Sequence, residues 1–273
     1  MRIREACWED MGEIVRVANQ SFLEWARYTS YIGKKFLEKI HRFPEWQFVA
    51  EENGVIVGFV INEPVEKGIK ISWIAVLPSY QGKGIGGELL RKVEEKCKSL
   101  GLKDIHVGTP FALSFYQKYG FELVKVTYRL IKEIVGKVIP SPHTYFNPGL
   151  EDIRELTPLL GEEIHPFLEA FFDTFPEEQE KIVGIRRGNV WEALAVGKTN
   201  PFSQELVETR FLWGENKWEA LRVLEYISSV QGRRWVGVET ESEEEKQALE
   251  RQGYTKVEKN PLYWTLYHLI KKL

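Results

Sequence analysis

Ile74-Ala75-Val76-Leu77-Pro78-Ser79-Tyr80-Gln81-Gly82-Lys83-Gly84-Ile85-Gly86-Gly87 packs four glycines into its last six residues, between an apolar run and an amphipathic one. Lys70 to Val76 reads as a strand, and Glu88 to Leu100 as a helix with one apolar face. Glycines lack a Cβ, so the backbone between those elements can turn tightly and aim successive N–H groups at one point. Such a nest at a helix N-terminus binds phosphate. The loop spells Gly82-x-Gly84-x-x-Gly87. A dinucleotide site, however, wants its glycines directly after the strand and an acidic residue at the end of the next strand. Leu77 to Tyr80 intervenes here, and Asp104 begins the next strand instead of ending it. A Walker loop is excluded because Lys83 is followed by Gly84.

Outward from the loop, the order of elements alternates in type. Ile3 to Ala6 is a short strand, and a helix opening at Trp8-Glu9-Asp10 carries Met11, Ile14, Val15 and Ala18 on its apolar face. A second helix covers about Ile32 to Ile40. Trp46 to Glu51 and Val55 to Asn62 form a hairpin around Glu52-Asn53-Gly54. After the glycine loop and its helix come a strand over Asp104 to Thr109 and a helix over Ala112 to Tyr119. Gly120 closes that helix, and strand material follows from Phe121 to Ile131.

The second half echoes the first. Val183 to Ala195 answers Val49 to Ile61 around Gly188 and Gly54. Arg234 to Glu239, Glu243 to Arg251 and Gly253-Tyr254 answer Ile105 to Val107, Ala112 to Lys118 and Gly120-Phe121. The expected organisation is two copies of one fold, residues 1–135 and 150–273, joined by a proline-rich linker over 136–149.

Two ordered motifs carry a family resemblance. The quoted stretch resembles the GNAT-type acetyltransferase superfamily: an apolar strand, a Pro-containing turn, then Gln81-Gly82-Lys83-Gly84-Ile85-Gly86. Ala112-Leu113-Ser114-Phe115-Tyr116-Gln117-Lys118-Tyr119-Gly120-Phe121 resembles the later Ala-x-x-Phe-Tyr-x-x-x-Gly-Phe segment of the same superfamily. The resemblance covers about residues 1–135. It implies an α/β (α+β) fold, a mostly antiparallel mixed sheet flanked by helices, in tandem acyl-CoA N-acyltransferase copies. It implies acetyl-CoA as co-substrate, with no metal, and acetyl transfer to a primary amine by direct attack. The amides of Gln81, Gly82, Lys83, Gly84, Ile85, Gly86 and Gly87 would hold the pyrophosphate. Ile74, Ala75 and Val76 would pair with the pantetheine arm through main-chain groups. Thr109 would hydrogen-bond the ligand, and Tyr116 would be the general acid that protonates the leaving thiolate. The other reading of Tyr116 is an aromatic on a core-facing helix.

The strand before the loop, Lys70 to Ile74, lacks the carboxylate that many family members use as base. Glu24, Glu63 and His106 are the candidates in its place, beside a water chain. That gap keeps a second reading open, a coenzyme A-binding sensor or scaffold without catalysis. The second copy has Trp213 to Glu219 where the glycine loop would fall, with Glu215 in place of the phosphate nest. It is expected to bind no cofactor. The aromatics of residues 19–46 (Trp25, Tyr28, Tyr31, Phe43, Trp46) line an acceptor pocket or belong to the core. The acceptor is a small-molecule, peptide or protein amine.

Composition excludes several other classes. A net charge of -3 gives no general case for nucleic acid or membrane binding. No apolar run approaches the ~20 residues of a membrane helix. The N-terminus lacks an apolar signal core, so a cytoplasmic protein is expected. Cys7 and Cys97 lack metal-site spacing and read as reduced buried thiols.

Overall fold

A computed structural model describes residues 1–22, 29–134, 136, 138, 144–172, 180–200, 203–256 and 265–273. Glu24, Trp25 and Tyr28 lie outside the described residues, as does the Tyr31 side chain.

The first half runs β1 (Arg2–Glu5), α1 (Met11–Ser21), α2 (Thr29–Arg42), β2 (Phe48–Glu52), β3 (Val55–Val65), β4 (Gly68–Val76), α3 (Ile85–Ser99), β5 (Asp104–Thr109), α4 (Leu113–Lys118) and β6 (Glu122–Glu133). The second half runs β7 (Tyr145–Phe146), α5 (Ile153–Leu160), α6 (Ile164–Phe172), β8 (Glu180–Arg187), β9 (Val190–Asn200), β10 (Ser203–Gly214), α7 (Lys217–Val230), β11 (Trp235–Thr240), α8 (Glu243–Arg251) and β12 (Leu266–Lys272).

Local chemistry accounts for most of these elements. Asn53 and Gly54 take φ of 52° and 77°, the left-handed pair that lets a two-residue turn match the twist of β2 and β3. Ile56, Val57, Phe59, Val60 and Ile61 are all buried, because β3 is a central strand covered on both faces. Helix α1 buries Ile14, Val17 and Ala18, so Val17 takes the core position expected of Val15. Helix α3 buries Ile85, Leu89, Leu90, Val93 and Cys97. Cys7, expected to be buried, is exposed. Trp46 is buried and Phe43 packs against the same core, so both aromatics serve packing.

Two compact units emerge: Met1–Thr127 with Thr265–Leu273, and Tyr128–Trp264. This corrects the expected boundaries. The last strand, β12, lies between β5 and β6 in the first unit, with Tyr267 opposite Thr109 and Leu266 opposite Thr127. Strand pairing runs through main-chain groups that every residue carries, so the apolar pattern of β12 names a face but not a neighbour. The segment 136–149 is not all linker, since β7 pairs Tyr145 with Ile185 and Phe146 with Gly184.

In the first unit the strand order is β1-β2-β3-β4-β5-β12-β6, and among the described residues β4/β5 is its one parallel pair. In the second it is β6-β11-β10-β9-β8-β7, with β10/β11 parallel. Each unit is thus a mostly antiparallel mixed sheet flanked by helices. Among the described residues no helix is long and apolar enough to cross a membrane.

Candidate active site

The site begins where β4 and β5 part. Their parallel pairing covers Gly68–Ile71 against Asp104–Val107 and then stops, while β4 continues to Val76. The β3–β4 register supplies a cause. Ile61 faces Trp73 and Asn62 faces Ile71, so Ser72 is an extra residue, a bulge that bends β4. A buried side chain holds this point. The Asn62 N–H donates to Gln47 Oε1 at 2.8 Å, and Gln47 Nε2 donates to the Asn62 carbonyl at 3.0 Å. The Gln47 amide replaces a backbone partner just ahead of the start of β2. Nothing in the sequence pattern distinguishes it from a surface glutamine.

The glycine loop leaves β4 through the short turn Pro78–Tyr80. Gln81 Nε2 donates to the Val76 carbonyl at 2.9 Å and ties the loop to the strand end. Gly82 and Gly84 have φ of 76° and 84°, and a Cβ on either would meet open space. They are glycines for backbone conformation. Gly87 is glycine for space: a Cβ there would lie 2.1 Å from the Tyr119 hydroxyl oxygen. Gly84 caps α3, and the first helical bond back into the loop runs from Glu88 N to Gly84 O. The N–H groups of Ile85, Gly86 and Gly87 therefore sit in the first turn, at the positive end of the helix dipole.

A groove of about 520 Å³ follows these elements. Ile74, Ala75, Val76, Gln81, Gly82, Gly84, Ile85, Gly86 and Gly87 line it, together with Phe115 and Tyr119 from α4. Nine expected ligand-binding residues thus share one surface. Lys83 is exposed beside it, its Nζ 4.5 Å from the Tyr80 ring centre. Thr109 does not line the groove. Its hydroxyl oxygen accepts the Ala112 N–H at 3.0 Å and so shapes the entry to α4. Tyr116 does not line it either. It is 3% exposed, packed edge-on against Phe115 and Phe121, and burial pushes its phenol above the ordinary value.

A second cavity, about 820 Å³, opens at the other end of the parted strands. Ser72 and Trp73 line it from β4, His106 and Gly108 from β5, and His268 from β12. Glu63 lines it too, but ion-pairs with Lys39 and Lys70. Burial raises its pKa, and the two lysines outweigh that effect and hold the carboxyl below its usual range. A carboxylate so stabilised is a poor proton acceptor. His106 is half-buried on the cavity wall. Among the described residues no cluster of His, Cys, Asp and Glu suits a metal ion.

The second unit has a corresponding place with different contents. Strands β10 and β11 pair over Leu206–Thr209 and Trp235–Val238 and then part, as β4 and β5 do. The cavity there is only about 240 Å³. Strand β10 reaches α7 through Glu215 and Asn216 alone. Asn216 Nδ2 donates to Glu192 Oε2 at 2.7 Å, and Lys217 pairs with Glu245.

Comparison with known proteins agrees with this division. A family model described as an acetyltransferase (GNAT) domain matches residues 44–123. N-alpha-acetyltransferase 30 of Schizosaccharomyces pombe is 32% identical over 111 residues, covering 37% of this chain and 72% of that protein. An amino-acid acetyltransferase of Pseudomonas paraeruginosa is 27% identical over 124 residues, 44% of this chain, and the chain spans only 27% of that protein. The solved GCN5-related N-acetyltransferase of Sphaerobacter thermophilus superposes with a TM-score of 0.68 at 14% identity, over 99% of this chain and 95% of that one. At that identity the likeness is one of fold.

Proposed function

Because the chain belongs to the GNAT acetyltransferase family, we propose that it moves the acetyl group of acetyl-CoA to a primary amine by direct attack, in its first unit alone. One observation carries this reading: the glycine nest and the end of β4, past its pairing with β5, lie along a single groove. First-turn amides at the N-terminus of α3 suit the pyrophosphate. The main chain of Ile74 to Val76, past the end of the β4/β5 pairing, suits the amides of the pantetheine arm, as an added strand would. The open space at Gly82 and Gly84 admits a phosphate close to the backbone.

The acceptor amine must reach the thioester uncharged. An α-amine starts near pKa ~8 and a lysine amine near ~10.4, so an α-amine needs less help. Two relatives are named an N-alpha-acetyltransferase and an amino-acid acetyltransferase. Peptide N-termini and free amino acids are therefore the first acceptors to try. Tyr116 remains the proposed general acid for the leaving thiolate, a role that requires acetyl-CoA binding to bring the thiol to a phenol that lies off the groove here. Burial raises its pKa and so keeps the phenol protonated until the step that uses it.

Titration calorimetry with acetyl-CoA, followed by thiol-release assays over peptides, amino acids, polyamines and aminoglycosides, tests the proposal. The expected result is one cofactor site per chain and turnover with at least one α-amine. Binding without thiol release across the panel would replace the enzyme by a coenzyme A sensor, a reading that the burial of Tyr116 away from the groove favours. Absence of binding would sink both.

A further inference from the structure

Resting on the acetyltransferase reading, we propose that Ser21, the last residue of α1, is a cofactor-binding residue whose hydroxyl oxygen accepts an amide N–H of the pantetheine arm. The main chain at the end of β4 sets the requirement. The Leu77 N–H donates to the Val57 carbonyl at 2.9 Å, and Gly58, Phe59 and Val60 stand opposite Val76, Ala75 and Ile74. Antiparallel pairs alternate, so Leu77 and Ala75 turn their main-chain groups to β3, while Ile74 and Val76 turn theirs away from it. Pairing with β5 has ended at Ile71, so among the described residues no strand covers that side. The N–H and C=O of Ile74 and of Val76 would therefore face an incoming arm. One of these groups is already taken. The Val76 carbonyl accepts from Gln81 Nε2 at 2.9 Å and from Ser21 Oγ at 3.1 Å, two donors for its two lone pairs.

The arm carries two amides, and so brings two N–H groups and two carbonyls. Against its carbonyls the strand end sets two donors, the N–H groups of Ile74 and Val76. Against its N–H groups it sets one acceptor, the Ile74 carbonyl. An amide N–H buried without a partner loses its hydration for nothing in return. Ser21 supplies the missing acceptor. A serine in the last turn of a helix ordinarily bonds back to a carbonyl of its own helix. This one reaches a strand 55 residues further along the chain. Having given its one proton to Val76, its oxygen keeps two lone pairs, and among the described residues nothing donates to them. Ser21 is half-buried and lines the 520 Å³ groove together with Ile74 and Val76. The bond it makes to the carbonyl polarises the hydroxyl and makes its oxygen a better acceptor. The chain of bonds runs from arm N–H to Ser21 Oγ, and from Ser21 O–H to the Val76 carbonyl.

The experiment is titration calorimetry on the full chain, comparing wild type with Ser21→Ala and Ser21→Thr. The two ligands are acetyl-CoA and adenosine 3′-phosphate 5′-diphosphate, the same nucleotide without the arm. Ser21→Ala should bind acetyl-CoA about five- to tenfold more weakly than wild type, the effect of one hydrogen bond, and should bind the nucleotide within about twofold of wild type. Ser21→Thr keeps the hydroxyl and should recover acetyl-CoA affinity to within about threefold. Acetyl-CoA bound by Ser21→Ala as tightly as by wild type, or more tightly, would overturn the assignment: the hydroxyl would then be a cap that the arm displaces from the Val76 carbonyl. Equal weakening of both ligands would overturn it as well, as would a Ser21→Thr variant no better than Ser21→Ala. Failure of the wild type to bind acetyl-CoA would instead sink the cofactor reading beneath it.

Discussion

The passage from strand to helix is built differently in the two units. In the first, eight residues separate Val76 from Ile85, and two of their glycines take left-handed backbone to bring amides to the tip of α3. In the second, Glu215 and Asn216 alone separate Gly214 from Lys217. Both units open a parallel strand pair at the corresponding point. One gap leads to a groove of about 520 Å³, the other to a cavity of about 240 Å³ edged by Glu208, Glu239 and Glu245. The fold alone therefore provides an opening. Whether that opening suits a polyanion depends on the loop.

The strongest way to break the comparison is to give the first unit the second unit's connection. Replacing residues 77–84 with Glu-Asn should abolish acetyl-CoA binding, a loss of at least about 10³-fold by calorimetry. A circular dichroism spectrum and a cooperative melt would establish that the chain still folds. Retained affinity would show that the nest is not the phosphate site.

Glycine substitutions separate stability from binding. A Cβ at Gly214 would sit 2.1 Å from the Glu192 carbonyl oxygen, a backbone atom that cannot swing away. Gly214→Ala should thus cost about 3 kcal/mol and lower the melting temperature by about 6–12 °C, with cofactor affinity unchanged. Gly84→Ala meets open space and suffers only left-handed strain, about 1–2 kcal/mol. Its melting temperature should fall by only about 2–8 °C, and acetyl-CoA affinity should fall about tenfold. If Gly214→Ala weakened binding more than Gly84→Ala, the functional split between the units would be wrong.

Tyr116 lies four residues before Gly120, and buried Leu249 lies four before Gly253. The repeat thus sets a phenol against an aliphatic side chain. Tyr116→Phe keeps the packing and removes the donor. It should lower kcat about ten- to a hundredfold with cofactor affinity unchanged, whereas an unaltered kcat would reduce Tyr116 to a core residue like Leu249.

The smallest effects concern two carboxylates with opposite shifts. In the second unit, burial raises Glu208 above 4.5 and outweighs Arg210 and Asn200. Its contribution to stability is present below 4.5 and lost as pH rises through the raised native value. In the first unit Glu63 is lowered, so its contribution is present above 4.5 and lost as pH falls through the lowered value. At pH 7, Glu208→Gln should raise the melting temperature and Glu63→Gln should lower it. Both differences should shrink in acid, and a thermal melt series from pH 3 to pH 8 reads the signs directly.

Elements with local causes were legible in advance. The spans of β5 and α8 coincide with the expected Asp104 to Thr109 and Glu243 to Arg251. The hairpin at Asn53-Gly54 and the glycine loop follow from backbone conformations that few other residues adopt. Nine of the candidates share one groove for the same reason, since they come from one contiguous stretch. Thr109 was expected at the ligand; its oxygen accepts the Ala112 N–H and it lies off the groove. Glu63 was a candidate base until Lys39 and Lys70 were found beside it. Partners such as these come from other elements.

By itself, then, the sequence determined the nest, the hairpins, the repeat and the family, because each rests on glycine conformation, apolar periodicity or a contiguous motif. Only the tertiary structure decided that β12 inserts between β5 and β6, that Gln47 braces the bulge at Ser72, and that His268 stands opposite Gly108. Those depend on which strands exchange main-chain hydrogen bonds. The groups that make such bonds are the same in every residue, so the choice is made by the packing of the whole unit.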